Sequence, residues 1–194
     1  MLFDIHCFTL NNKNRYYGVD YSKDGVEGGD AVFSLLSSEE YSPFWKFMQS
    51  DILDLPAGVF DASGQDTVVL TVSVLNKIPE LPTDFFVKIR NLVCHARRID
   101  MVIVESVGWQ IYEETKLLEE YQELGEVFQI NSGVSEKIVS SQRQKNIAQG
   151  SNKNFMEILM GAHRRSEVSI KFIELNTFSH HPYELYSVFR IKIL

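Results

Sequence analysis

The stretch from Asp66 to Val107 constrains this chain most, because it spells a strand, a helix and a strand in immediate succession. Thr67 to Leu75 is dense in β-branched residues and apolar on both alternating faces, the composition of a strand covered on both sides. Met101-Val102-Ile103-Val104 repeats that pattern. Between the two, Phe85, Phe86, Ile89, Leu92, Val93 and Ala96 recur at helical spacing behind a capping Thr83. Arg97 and Arg98 stand where a helix dipole favours cations, so the helix is expected to end near Arg98. Two such strands joined by a helix predict a right-handed parallel crossover. Ligands of parallel sheets sit beyond the carboxyl ends of the strands, which here means Asn76, Lys77, Glu105, Ser106 and Gly108. Asn76-Lys77-Ile78-Pro79 contains no glycine to expose backbone donors, which argues against a phosphate-cradling turn. The outward positions Lys88, Arg90, His95 and Arg97 read as a solvated face.

The flanks are read by the same rules. Residues 2–10 and 15–21 predict a hairpin around Asn11-Asn12-Lys13-Asn14. Asp20 to Asp30 reads as a glycine-rich surface loop without the ordered spacing of a calcium site. Ala31 to Leu36 fits a short strand or a first helical turn. Ser42-Pro43 predicts a helix start, with Phe44, Phe47, Met48, Ile52 and Leu53 as its packed stripe and Trp45 beside it. Farther on, Glu113 to Leu124 predicts an acidic helix with Leu117, Leu118, Tyr121 and Leu124 inward, closed by Gly125, and Glu126 to Ile130 a short strand. Residues 135–150 begin helical and turn polar, and too few apolar side chains lie in 140–152 to bury it, so an exposed, mobile segment is expected. Ser151 caps a further helix carrying Phe155, Ile158, Leu159 and Ala162 inward. Glu167 to Leu175 and Tyr183 to Leu194 alternate as a half-buried hairpin. The expected architecture is a single α+β domain over 1–194: a mixed sheet, a central parallel crossover, antiparallel hairpins at both ends and four to five helices.

A chain of 194 residues with 44% hydrophobic content can bury one substantial core. No run approaches the roughly 18 apolar residues of a membrane span, and Met1 to His6 lacks a leader pattern, so a soluble cytoplasmic protein is expected. Cys7 and Cys94 lie in apolar segments and read as separate buried thiols. The net charge of −7 is unevenly spread. Lys and Arg against Asp and Glu give −7 over residues 1–82, +1 over 83–108, −6 over 109–136 and +5 over 137–194. Such a division suits a polyanion-binding surface, or an internal match between acidic and basic elements.

Catalytic signatures are sparse. Asp61, Asp66, Asp100 and Glu105 form a metal site only if folding gathers them, and Glu105 is followed by Ser106-Val107 instead of the Glu-x-Lys of common nucleases. His180-His181, with His163 upstream, reads as a turn between strands, since adjacent strand residues face opposite ways. No cofactor and no metal ligand set is expected, and no serine lies in a nucleophile elbow. The expectation leans away from an enzyme. It is a non-enzymatic intracellular protein, an inhibitor, immunity-type protein or assembly subunit, that uses Glu113, Glu119, Glu120 and Glu123 to steer a basic protein partner. The alternative is nucleic-acid binding through Arg143, Lys145, Lys153, Arg164, Arg165 and Lys171 in the basic 137–171 region, and after it a metal-dependent nuclease.

Overall fold

The structure, a computed structural model, describes residues 15–36, 44–178 and 185–194. It divides into two compact units, one ending at Phe60 and the other running from Asp61 to Leu194. Among the described residues the fold is α+β, with five helices and a mixed five-stranded sheet.

The first unit is a parallel strand pair bridged by a helix: β1 (Arg15–Asp20), α1 (Lys23–Leu36) and β2 (Phe44–Gln49). Two expectations fail here. The acidic glycine-rich run is helical, and the segment after Ser42-Pro43 is a strand. One contact accounts for both. A Cβ on Gly18 of β1 or on Gly29 of α1 would strike the Phe47 ring, so these glycines serve close approach and not a flexible loop. Phe33 of α1 is buried among Tyr16, Trp45 and Phe47, at ring separations of 5.4, 5.9 and 5.5 Å. Trp45 and Phe47 share one strand face, and aromatic residues suit a strand as well as a helical stripe. Residues 15–20 pair in parallel with β2, and the first arm of the expected hairpin lies outside the described residues.

The second unit opens with the expected crossover: β3 (Asp66–Val72), α2 (Phe85–Leu92) and β4 (Arg98–Glu105), with β3 and β4 parallel. It continues through α3 (Thr115–Gln122), β5 (Phe128–Ile130), α4 (Glu136–Ala148) and α5 (Phe155–Arg164) to β6 (Val168–Phe178) and β7 (Leu185–Ile193). The sheet order is β3-β4-β7-β6-β5, with β7 antiparallel to both of its neighbours and β5 parallel to β6. The C-terminal antiparallel pair is therefore as expected.

Burial is one-sided. Ile99, Met101 and Ile103 of β4 share their buried face with Phe189, Ile191 and Ile193 of β7, and Phe155 of α5 packs edge-on to Phe189 at 5.0 Å. On the other face Val102 and Val104 are half-buried, and Val68 of β3 is 63% exposed, so the double cover read from the apolar run is only partial. α2 is shorter than expected. Its first turn follows Asp84, and the chain leaves it through His95 at φ 77°, which is incompatible with helix. Arg97 accordingly pairs with Asp66 at 2.8 Å, and Arg98 begins β4.

Candidate functional site

Because β3, β4 and β6 run the same way, their carboxyl ends open on one edge of the sheet. Polar side chains gather there. Glu105, the last residue of β4, points into the buried face and is 0% exposed. Its Oε1 accepts the backbone N–H groups of Val74 at 2.9 Å and Leu75 at 3.0 Å, and its Oε2 accepts that of Asn76 at 3.2 Å. These donors belong to the start of the 3-10 turn Leu75–Lys77, so the carboxylate closes the turn that leaves β3. Burial pushes the Glu105 carboxyl above its ordinary value of 4.5, against the pull of the three backbone donors. Thr71 Oγ1 lies beside the carboxyl and helps hold its charge without forming a hydrogen bond of proper geometry.

The neighbouring amides weld the loops around this turn. Asn152 Nδ2 donates to the Ile78 carbonyl at 2.8 Å, and the Asn152 N–H donates to the Asn76 carbonyl at 3.0 Å. Asn154 grips Leu81 at both backbone atoms, 2.9 Å each way. Asn152 Oδ1 accepts the Asn154 and Phe155 N–H groups at 3.1 and 2.7 Å, and Gln110 Oε1 accepts that of Met156 at 3.0 Å. The N-terminus of α5 is thus capped by Asn152 and Gln110, whereas Ser151 was expected as the cap. At the end of β6, Asn176 takes φ 62°, its Nδ2 donates to Tyr112 Oη at 3.1 Å and its N–H to Ser187 Oγ at 3.4 Å. Gly108 fits above them because a Cβ there would collide with Ser187 Oγ.

A third group ties α4 to the end of β4. Gln142 Nε2 donates to Ser106 Oγ at 2.9 Å and to Asn146 Oδ1 at 3.2 Å. Asn146 Nδ2 donates to the Ser106 carbonyl at 3.0 Å. The run expected to be mobile is therefore helical through Ala148, with Gln142 and Asn146 as its buried side chains at 5% and 3% exposure. Their spacing of four residues is one helical turn, a cue present in the sequence but carried by amides instead of apolar residues.

Bonded as it is, the edge keeps unpaired polar atoms. Asn76 Oδ1, Gln142 Oε1, Thr71 Oγ1, Trp109 Nε1 and Thr177 Oγ1 are buried without a hydrogen-bond partner. Each such atom costs about 1–3 kcal/mol. All belong to the carboxyl ends of the parallel strands or to the segments packed on them; the two amide oxygens only accept, the two threonine hydroxyls donate or accept, and the indole only donates.

The residues expected to bind macromolecules are placed otherwise. Arg143 pairs with Glu113, Arg164 with Glu120 at 3.5 Å, and Arg165 with Glu167 at 2.7 Å. The acidic and basic runs thus meet each other. Glu119 and Glu123 remain exposed on or beside α3, while Lys145, Lys153 and Lys171 are spread over α4, the following loop and β6. Asp66 and Asp100 lie toward the amino ends of β3 and β4 and pair with Arg97 and Arg98, and Asp61 is exposed before β3. Glu105 stands five residues beyond Asp100 along β4, roughly 17 Å away and on the other face. The four acids do not converge, and no cluster of three metal-ligating side chains occurs among the described residues. His180 and His181 lie outside those residues, and Cys94 is a free thiol. No described helix is long and apolar enough to cross a membrane.

No protein-family model and no curated protein matches the chain. Among solved structures it is similar to a SAM-dependent methyltransferase from Methanosarcina mazei, at 9% identity over 97% of this chain and 96% of that one, with a TM-score of 0.48. It is similar to a protein from Rhodobacter sphaeroides titled as one of the Zn-dependent alcohol dehydrogenases, at 10% identity over 98% and 88% of the two chains, TM-score 0.46. A third is the plantazolicin methyltransferase BpumL in complex with a triazolic desmethylPZN analog and SAH, at 13% identity over 99% and 71%, TM-score 0.45. No chemistry is carried from these likenesses to the residues above. The expectation of a non-enzymatic protein, with a protein partner or a nucleic-acid surface, is nevertheless corrected. Of the charges meant to attract a partner, Glu113, Glu120, Arg143, Arg164 and Arg165 are already engaged in ion pairs within the chain.

Proposed function

We propose that this protein is an enzyme acting on a small, phosphate-free molecule rich in N–H and O–H donors, seated over the carboxyl ends of β3 and β4. The observation that carries the reading is the set of buried, unpaired acceptors around Glu105 and Ser106, foremost Asn76 Oδ1 and Gln142 Oε1. Folded proteins pair nearly all such atoms, and the buried Glu105 carboxyl beside them, which burial holds toward its protonated form, supports reading this edge as the site. The acceptors fit the amino and ribose hydroxyl donors of a nucleoside. A phosphate fits poorly, because the 73–78 turn has no glycine and its N–H groups are already given to Glu105. Glu105 acts here as a positioning residue that holds Asn76 at the edge.

Adenosine, SAM and S-adenosylhomocysteine are the first probes, in a thermal-melting titration of the full chain followed by turnover assays with SAM. At about one hundred times its Kd a ligand stabilises the native state by about 2.7 kcal/mol. For a chain of this size that raises Tm by roughly 5–11 °C. Asn76→Ala is expected to abolish most of the rise. Unchanged melting with all three probes at about 1 mM, or a rise indifferent to Asn76, overturns the seat.

A further inference from the structure

Helix α4 is fastened unlike its neighbours. α2 and α5 dock through buried aromatic and aliphatic side chains, whereas α4 buries only Gln142 and Asn146 and leaves Ile147 48% exposed. Directional bonds are prominent in its hold on the unit, the two amides on Ser106 and the Arg143 guanidinium on Glu113 among them, while its apolar residues Ile138 and Val139 are only half-buried. Such contacts exchange readily for water, while an apolar face does not. The helix is flanked by Gly133 on one side and by Gly150, at φ 65°, on the other, both exposed. Beneath it lies Ser106, immediately after Glu105. The amide of Gln142 spends its nitrogen on Ser106 and Asn146 and keeps its oxygen buried and unpaired.

We propose that α4 is a cover that lifts from Ser106 to admit the small molecule and, on redocking, brings Gln142 Oε1 onto one of its N–H or O–H donors. Gln142 is then a specificity-determining residue, selecting ligands that present a donor at this position. A ligand with an acceptor there would set two oxygens against each other and be refused. This rests on the seat proposed above for β3 and β4 and adds to it the helix that closes it.

The test is amide hydrogen exchange on the full chain with adenosine and S-adenosylhomocysteine as probes, joined to their affinities in three variants. Amides of α4 are expected to exchange at least tenfold faster than those of α5 and to slow about tenfold when a probe saturates. Gln142→Met, which keeps the bulk and loses both the Oε1 acceptor and the Nε2 donor, as Gln142→Glu also loses the donor, weakens binding about tenfold. Gln142→Glu keeps an oxygen at the same reach and recovers a good part of the loss. Asn146→Ala speeds α4 exchange but costs only two- to threefold in affinity, which separates fastening from ligand contact. If binding depends on Asn76 while α4 exchange ignores the probe, or while the Met and Glu variants bind alike, the cover is wrong and the seat stands. If neither probe binds, both fall.

Discussion

Glu105 gives both of its oxygens to the backbone, and Tyr121 likewise serves the backbone, donating its hydroxyl to the Met156 carbonyl at 2.7 Å from a fully buried ring. Glu105→Gln keeps one acceptor for Val74 and Leu75 but turns an NH2 group toward the Asn76 N–H. A loss of about 1–3 kcal/mol in urea unfolding is expected. Tyr121→Phe leaves the Met156 carbonyl without its donor and should cost a similar amount, with the ring packing retained. That Glu105 belonged to a strand end was readable from the sequence, since the apolar alternation of β4 ends there. Its partners were half readable. Val74 to Asn76 follow β3 after Ser73, but Asn152, which locks the same turn, lies far along the chain, and neither it nor the Gln110 that holds it carries a periodic signal.

Elements whose faces are marked by apolar residues were legible: β3, α2, β4 and the β6–β7 pair follow from period alone. Three others were not. β2 carries aromatics that fit period 2 and period 3.6 equally well, and its parallel pairing with β1 decides between them. α1 carries Gly29 because the Phe47 ring needs the space, and Gly25 where a Cβ would strike the Asp20 carboxylate. α4 hides its contact in amides. Ser106→Ala removes the hydroxyl that receives Gln142 Nε2 and leaves that donor short of a partner. A destabilisation of about 2 kcal/mol, or roughly 4–8 °C in Tm, is expected by calorimetry. If the cover is fastened as described, the added exchange in Ser106→Ala concentrates in residues 136–148 and spares α5.

Across the whole molecule the ionisable groups act on stability in two opposed senses. Arg97 holds the Asp66 carboxyl below its ordinary 3.8, and Arg165 holds that of Glu167 below 4.5. Their stabilisation is present above those values and is lost as pH falls through the lower folded-state pKa values. Both pairs are at the surface, so salt screens them and their share is small. Glu105 works the other way. Its folded-state pKa lies above 4.5, so the native state holds the proton more tightly than the unfolded chain does, and the stability this confers is complete below 4.5 and lost as pH rises through the folded-state value. These three groups together therefore place their best pH close to 4.5, on the acid side of neutrality. Urea midpoints taken from pH 7 to pH 3, at low and high salt, should show a rise on acidification toward that region and a fall beyond it. In Glu105→Gln the rise should vanish while the fall persists, and high salt should blunt the fall more than the rise. A Glu105→Gln profile parallel to the parent's would mean that the buried carboxyl keeps its ordinary affinity for the proton and that the edge around it is open to water.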